Sequence, residues 1–502
     1  SRPTSARARL LTLGAAAALA VPLLAQAPTA GAAPVEQQET STSTDGAALR
    51  PVDGRYLVTL AGTEGPNGFA LDGSLTAVRT LVTAAGGTVV SDLSRQIGVL
   101  VVESRVASFA STLQASPLVD SVGQDFGVKM YADAPEPSAD PMETLQWDMQ
   151  QIRTEQAHAV QAGIPAVDVG VLDSGIDGRH PDFQKGGEFN VDCARGRDSL
   201  AALPPGVAVG TPDPCTDNQF HGTHVAGTIG ARANGLGIVG VAPNVTLVPV
   251  KVCDATGYCY ASPVVDGITY AGDQQFDVIN MSFFVDDNSF QQSTEFKCSS
   301  DPVQRTFRQA VERAISYARN RGVTPVAALG NSDQDLAHPV DDDGQPISNE
   351  CEVVPAETQG VVGTVSLGSR SEKAGYSNYG SGMADVSAPG GNGTTGDCRT
   401  TILSTAPGGT YICIQGTSMA SPHAAGVAAL IVSQYGRLGE DGDVKLSPQT
   451  VENYLQGTAV DIGLDGYDEC FGNGRIDALR AVTKDTSGLK DESAPPCPEY
   501  EE

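Results

Sequence analysis

The sequence predicts an α/β fold with a mostly parallel central sheet, and three strings carry that prediction. The apolar run from Val167 to Leu172 closes on Asp173-Ser-Gly, as a buried strand ending in a turn would. His221-Gly-Thr-His-Val-Ala-Gly and Gly-Thr-Ser418-Met-Ala-Ser-Pro each open a segment of small and apolar residues that reads as a buried helix. Strand ends and helix starts then meet at one sheet edge, where open α/β sheets place their sites.

The same strings supply an acid, a base and a nucleophile. A serine hydroxyl is a poor nucleophile at neutral pH. It needs an imidazole to take its proton, and that ring needs a carboxylate to fix its tautomer. The chain order Asp173, His221, Ser418 resembles that of the subtilisin-like serine proteases, the subtilases. Further strings resemble the family: Asp277-Val-Ile-Asn-Met-Ser282, Ala327-Ala-Leu-Gly-Asn331, Tyr376-Ser-Asn-Tyr-Gly380 and Val386-Ser-Ala-Pro-Gly390, so the likeness covers roughly residues 140 to 485. The resemblance implies a three-layer subtilisin-like fold and an endopeptidase with Asp173, His221 and Ser418 as its triad. It also implies Asn331 as the oxyanion-hole amide beside the backbone N–H of Ser418, and Ser282, Phe283, Phe284 and Gly330 along the substrate. Relatives often carry leucine and then glycine after that serine. Phe283 and Phe284 depart from this pattern, and broad digestive activity does not follow from the likeness. An inactive relative acting as an inhibitor or binding module is the competing class.

The six histidines narrow the base. His158, His180, His338 and His423 stand in strings without a base-like setting, which leaves His221 and His224. Their i, i+3 spacing suggests a metal, but a zincin needs His-Glu-x-x-His and there is no glutamate between them. His221 is the expected base; His224 and His423 are expected to be packed, hydrogen-bonded residues.

Taken in order, residues 1–33 read as a secretory signal peptide: arginines, then an apolar stretch from Leu10 to Leu24, then small residues. That stretch is shorter than the roughly 20 residues that span a bilayer, so no membrane anchor is expected. A linker (34–53) precedes a unit at 54–130 with strands expected at Arg55–Ala61, Thr88–Leu93, Ile97–Glu103 and Val119–Val128. Its helices are expected near Ser74–Ala85 and Val106–Ala115. This order resembles the ferredoxin-like α+β propeptide of secreted subtilases, an intramolecular inhibitor. A proline-rich linker at 131–141 is the expected site of maturation cleavage. The peptidase domain is expected over 142–485, with a terminal helix at Ile476–Val482. An acidic tail at 486–502 is expected to be largely unstructured unless Cys497 ties it down.

The formal charge of −29 argues against nucleic-acid partners, because phosphate backbones demand basic surfaces. Protein or peptide substrates and a monomeric enzyme are the expectation. Ten cysteines in an exported chain read as disulfides. Proximity suggests Cys193–Cys215, Cys253–Cys259 and Cys398–Cys413, and elimination leaves Cys298–Cys351 and Cys470–Cys497. The chemistry requires no cofactor. Asp341-Asp-Asp343 is compatible with structural calcium, although a solvated acidic loop is the simpler reading, and no metal ligand set is assigned.

Overall fold

The computed structural model describes residues 50–65, 68–129, 143–284, 301–340, 346, 352–439 and 442–497. The signal peptide, the 131–141 linker, the Asp341-Asp-Asp343 loop and the Cys298–Cys351 pairing lie outside these residues.

The N-terminal module comprises β1 (Arg50–Leu60), α1 (Leu75–Ala84), β2 (Thr88–Leu93), β3 (Val99–Glu103), α2 (Phe109–Gln114) and β4 (Val119–Lys129). Its strands are antiparallel in the order β2-β3-β1-β4. Val78 and Val82 of α1 and Phe109 and Leu113 of α2 form one core with Val58, Leu60, Leu100 and Val102 of the sheet. Ser74 starts α1 by accepting a hydrogen bond from the Ala77 N–H at 3.1 Å. Strand β1 begins at Arg50, inside the expected linker, because Arg50 and Pro51 pair with Gly127 and Phe126 across a bulge. A small hairpin at Gly62–Gly65 and Gly68–Leu71 was not foreseen.

The larger unit is built on β5 (Asp168–Asp173), β6 (Arg197–Asp198), α3 (His221–Gly230), β7 (Thr246–Lys251), β8 (Tyr258–Tyr260), α4 (Ala261–Gln274) and β9 (Val278–Met281). There follow α5 (Pro302–Arg319), β10 (Thr324–Ala328), β11 (Val362–Leu367), β12 (Val386–Pro389) and α6 (Thr417–Tyr435). Seven strands form one parallel sheet in the order β6-β7-β5-β9-β10-β11-β12. The inner strands are buried on both faces, which is why they read as continuous apolar runs. The pleat sends Val169 and Val171 into the core shared with α3 and α6, and Leu172, Ile279 and Met281 into the core shared with α4 and α5. This is the expected three-layer arrangement. Helix α6 is buried from Thr417 through Val432, so its sequence is small and apolar on every side.

The module docks on this unit. Strand β8 pairs antiparallel with the end of β4, and the module sheet thereby becomes five-stranded. Helix α4 has no side-chain cap of its own; the fully buried Asp125 of β4 supplies one, accepting from the Ser262 N–H at 2.9 Å and from the Ser262 hydroxyl. Arg55, also buried, lies 3.1 Å from that carboxylate. From α5, Arg313 donates to the Leu60 carbonyl at 3.2 Å and to Asp120 at 2.9 Å.

Disulfides join Cys193 to Cys215, Cys253 to Cys259, Cys398 to Cys413 and Cys470 to Cys497. The last of these holds the chain end: Cys497 is buried, and Leu489 and Asp491 hydrogen bond to Asp461. The final helix covers Ala478–Thr483, two residues later than expected at its start, because Asp477 caps it through the Arg480 N–H. Among the described residues no helix is long and apolar enough to cross a membrane.

Candidate active site

Asp173 ends β5 and is fully buried, with its Oδ1 accepting from the Ser174 N–H at 2.7 Å. The next turn lies against the start of α3, where a Cβ at position 222 would sit 2.1 Å from the Gly175 carbonyl; only glycine can follow His221 there. This close approach brings Nδ1 of His221 to 2.9 Å from both oxygens of Asp173. An ionised carboxylate only accepts, so Nδ1 carries the hydrogen and Nε2 keeps the lone pair that a general base uses.

Ser418 occupies the first turn of α6. Gly416, with φ +152° and ψ 162°, is the cap, a conformation open only to glycine. Pro422 lies four residues after Ser418 and has no N–H, so the Ser418 carbonyl lacks its intrahelical donor. The Ser282 hydroxyl donates to that carbonyl at 2.8 Å, and the Ser418 hydroxyl donates to the Ser282 carbonyl at 3.1 Å. Asn280 braces the pair, donating from Nδ2 to the Ser282 hydroxyl at 2.8 Å while its Oδ1 accepts from Ser421 at 2.7 Å. Ser282, just past β9, is thus tied directly to the backbone of Ser418.

Asn331 follows β10. Its Oδ1 accepts from the N–H and the hydroxyl of Thr417, both at 2.9 Å, so the amide is oriented and Nδ2 is its donating end. With the first N–H groups of α6 this makes a donor set suited to a developing oxyanion. Gly330 has φ +109°, and a Cβ there would meet Asn378 Nδ2 at 2.4 Å. Phe283 is 2% exposed and joins the core on the α4 and α5 face, with Phe126 and Val128 of the docked module in the same cluster; Phe284 is half-buried against it.

His224 is fully buried and bonds the Ile402 carbonyl at 3.1 Å through Nε2. Burial, reinforced by the neighbouring His221, pushes its pKa down to about 3, so it is a neutral packed residue. His423 bonds the Met419 carbonyl at 2.8 Å and Asp148 at 3.0 Å. Among the described residues no group of three or more acidic, histidine or cysteine side chains is arranged to hold a metal.

Two supports escaped the sequence reading. Asp217 is buried and gathers five donors. Its Oδ1 accepts from the Ser174 hydroxyl, the Gln219 N–H and the Phe220 N–H, and its Oδ2 from the N–H and hydroxyl of Thr223, at 2.6–3.0 Å. It holds Phe220 at φ +121°, a strained non-glycine conformation immediately before His221. Its signal is the string Asp217-Asn-Gln-Phe, a turn former four residues ahead of His221. Asn378 accepts from the Ser332 and Gln334 N–H groups at 2.9 and 3.1 Å and donates to the Leu329 carbonyl at 3.1 Å, clamping the loop that carries Asn331. It lies in a string quoted above for likeness alone.

The subtilase family model matches residues 165–474. Subtilisin NAT of Bacillus subtilis subsp. natto is 31% identical over 371 residues, 74% of this chain and 77% of that protein. A subtilisin of Bacillus pumilus is 32% identical over 341 residues, 68% and 99% of the two chains. Among solved structures, the epidermin leader peptide processing serine protease of Staphylococcus aureus aligns with a TM-score of 0.66 at 21% identity, over 86% of this chain and 98% of that one. A lanthipeptide protease aligns with a TM-score of 0.53 at 25% identity, over 69% and 100%.

Proposed function

The chain belongs to the subtilase family of serine proteases, and from that premise we propose that it is a secreted endopeptidase made as a self-processing zymogen. The observation that supports the reading is the Asp173–His221 hydrogen bond at the end of β5, with Ser282, which is bonded to Ser418, at the end of the neighbouring strand β9, and an Asn331 amide whose oxygen is already engaged by Thr417.

In the proposed mechanism the Ser418 oxygen attacks the scissile carbonyl carbon while its proton passes to Nε2 of His221. Asp173 steadies the resulting imidazolium. The carbonyl oxygen becomes an oxyanion between Asn331 Nδ2 and the Ser418 N–H. Collapse breaks the C–N bond, and His221 returns the proton to the leaving amine. Water then repeats the sequence on the acyl-enzyme and releases the acid. The Ser418 hydroxyl, bonded to the Ser282 carbonyl, turns to His221 when substrate arrives; such contacts tighten in the Michaelis complex.

Zymogen character is supported by the docked module. Its last described strand, β4, adds to the edge strand β8 in the manner of an extended peptide, and the chain then enters the proline-rich linker. Secretion is supported by the apolar leader and the four disulfides among the described residues. The test is maturation of purified precursor. Wild-type chain should shorten between about Met130 and Asp140 while Ser418→Ala stays full length; maturation of the variant at the wild-type rate, with no contaminating protease, refutes self-processing.

A further inference from the structure

Where β4 meets β8, Gly127 lies opposite Tyr260, with Val128 opposite Cys259 and Lys129 opposite Tyr258. Directly opposed residues of an antiparallel pair put their side chains on the same face. A Cβ at position 127 would lie 2.7 Å from Cδ1 and 2.8 Å from Cε1 of the Tyr260 ring, well inside the roughly 3.5–4.0 Å at which carbon atoms pack. Gly127 is not among the glycines of positive φ. The backbone therefore does not demand glycine here, and the ring does.

The ring has little room to withdraw. It is fully buried, and its hydroxyl lies 3.1 Å from both the Val207 carbonyl and the Asp254 carboxylate. Asp254 is itself buried and anchored by the N–H groups of Val209, Thr256 and Tyr258 at 2.9–3.2 Å. The preceding residue, Cys259, is tied to Cys253. From the module, Arg50 also donates to the hydroxyl at 3.2 Å and Val52 packs in the same cluster as the ring, while Val207, Asp254 and the Cys253–Cys259 disulfide, which stay with the larger unit when the module leaves, hold the ring from the other side.

We propose that Tyr260 is a specificity-determining residue: a polypeptide strand that adds to β8 must carry glycine at the position facing the ring. The substrate class is extended polypeptide with glycine at that one place upstream of the cleaved bond. This rests on the reading of the chain as a protease whose module occupies the substrate's position on β8.

The test uses matured enzyme and two synthetic peptides spanning residues 121–136 of this chain, one native and one with Gly127→Val. For wild-type enzyme kcat/KM should be at least about tenfold lower on the valine peptide. Tyr260→Ala should bring the two within about threefold, and Tyr260→Phe, which keeps the ring, should retain the preference. Equal kcat/KM in the wild type, or a glycine preference undiminished in Tyr260→Ala, overturns the inference. So does fluorophosphonate labelling of Ser418 without cleavage of either peptide, which would leave the protease reading standing. Absence of labelling in matured chain would overturn both.

Discussion

Asp217 touches none of the reacting groups, yet its carboxylate fixes the turn of Asp173 through Ser174 and the start of α3 through Phe220 and Thr223. Asp217→Ala would leave several buried donors unmatched, each costing about 1–3 kcal/mol. The expected outcome is lower thermal stability together with a fall in kcat of about tenfold or more, checked by calorimetry and steady-state kinetics. Asn331→Ala differs in kind: kcat should fall about 10²–10³-fold with KM nearly unchanged, since in the proposed mechanism its Nδ2 meets an oxyanion that the bound substrate does not yet carry. That scale is the one seen when a subtilisin loses its oxyanion-hole asparagine. The proposed reacting groups were legible because each sits in a string whose neighbours are also constrained, such as Gly222 by the Gly175 carbonyl. Asp217 was not, because an Asp before Asn and Gln looks like any surface turn. Its burial arises only when β5 and α3 come together.

Helix α6 joins a glycine cap, Ser418 in its first turn and a proline four residues later. Pro422→Ala would supply an N–H to the Ser418 carbonyl and compete with the Ser282 hydroxyl for it. The expected result is a helix of equal or greater stability with a several-fold lower kcat, measured by thermal melts and kinetics on the same preparation. Strand β4 and helix α4 are coupled in a similar way. Asp125→Ala removes the side-chain cap that α4 has among the described residues and leaves the buried Arg55 without its nearest carboxylate. Arg55 would keep only Glu103, 3.5 Å away, and the Ala202 carbonyl; removing one partner of a buried charge is destabilising, so maturation of refolded precursor should slow by about tenfold or more, read by gel time course. The βαββαβ order was visible in the periodicity of residues 54–130. Strand β8 was not: Tyr258–Tyr260 is three residues long and becomes a strand only because β4, more than a hundred residues earlier, lies beside it. Intrinsic preference in so short a segment is weaker than the tertiary pairing that decides it.

At the scale of the whole molecule, stability should depend on pH through groups remote from the site. Burial pushes the Glu357 carboxyl up to about 8, outweighing the hydrogen bond it accepts from the Val353 N–H, and nearby Glu352 adds to the rise. In the unfolded chain this group ionises near its ordinary value of about 4.5. Between those values the unfolded state loses its proton first, so stability is lost as pH rises from about 4.5 to about 8. Glu357→Gln should therefore raise the melting temperature by a few degrees at pH 8 and by almost nothing at pH 4, as differential scanning calorimetry would record. The sequence conveyed the three-layer architecture and the likelihood of disulfides, because those follow from local patterning and from cysteine count. It did not convey that residues 484–497 fold back on the domain, a consequence of where Cys470 lies in space.

The proposed chemistry depends most on His221, oriented by Asp173, activating Ser418. The direct measurement is labelling of matured protein by an active-site-directed fluorophosphonate, with the modified residue located by peptide mass spectrometry. One adduct is expected, on Ser418, formed rapidly by the wild type and at least about 10³-fold more slowly by His221→Ala. Equal rates in the two proteins, or an adduct on any other residue, would contradict it.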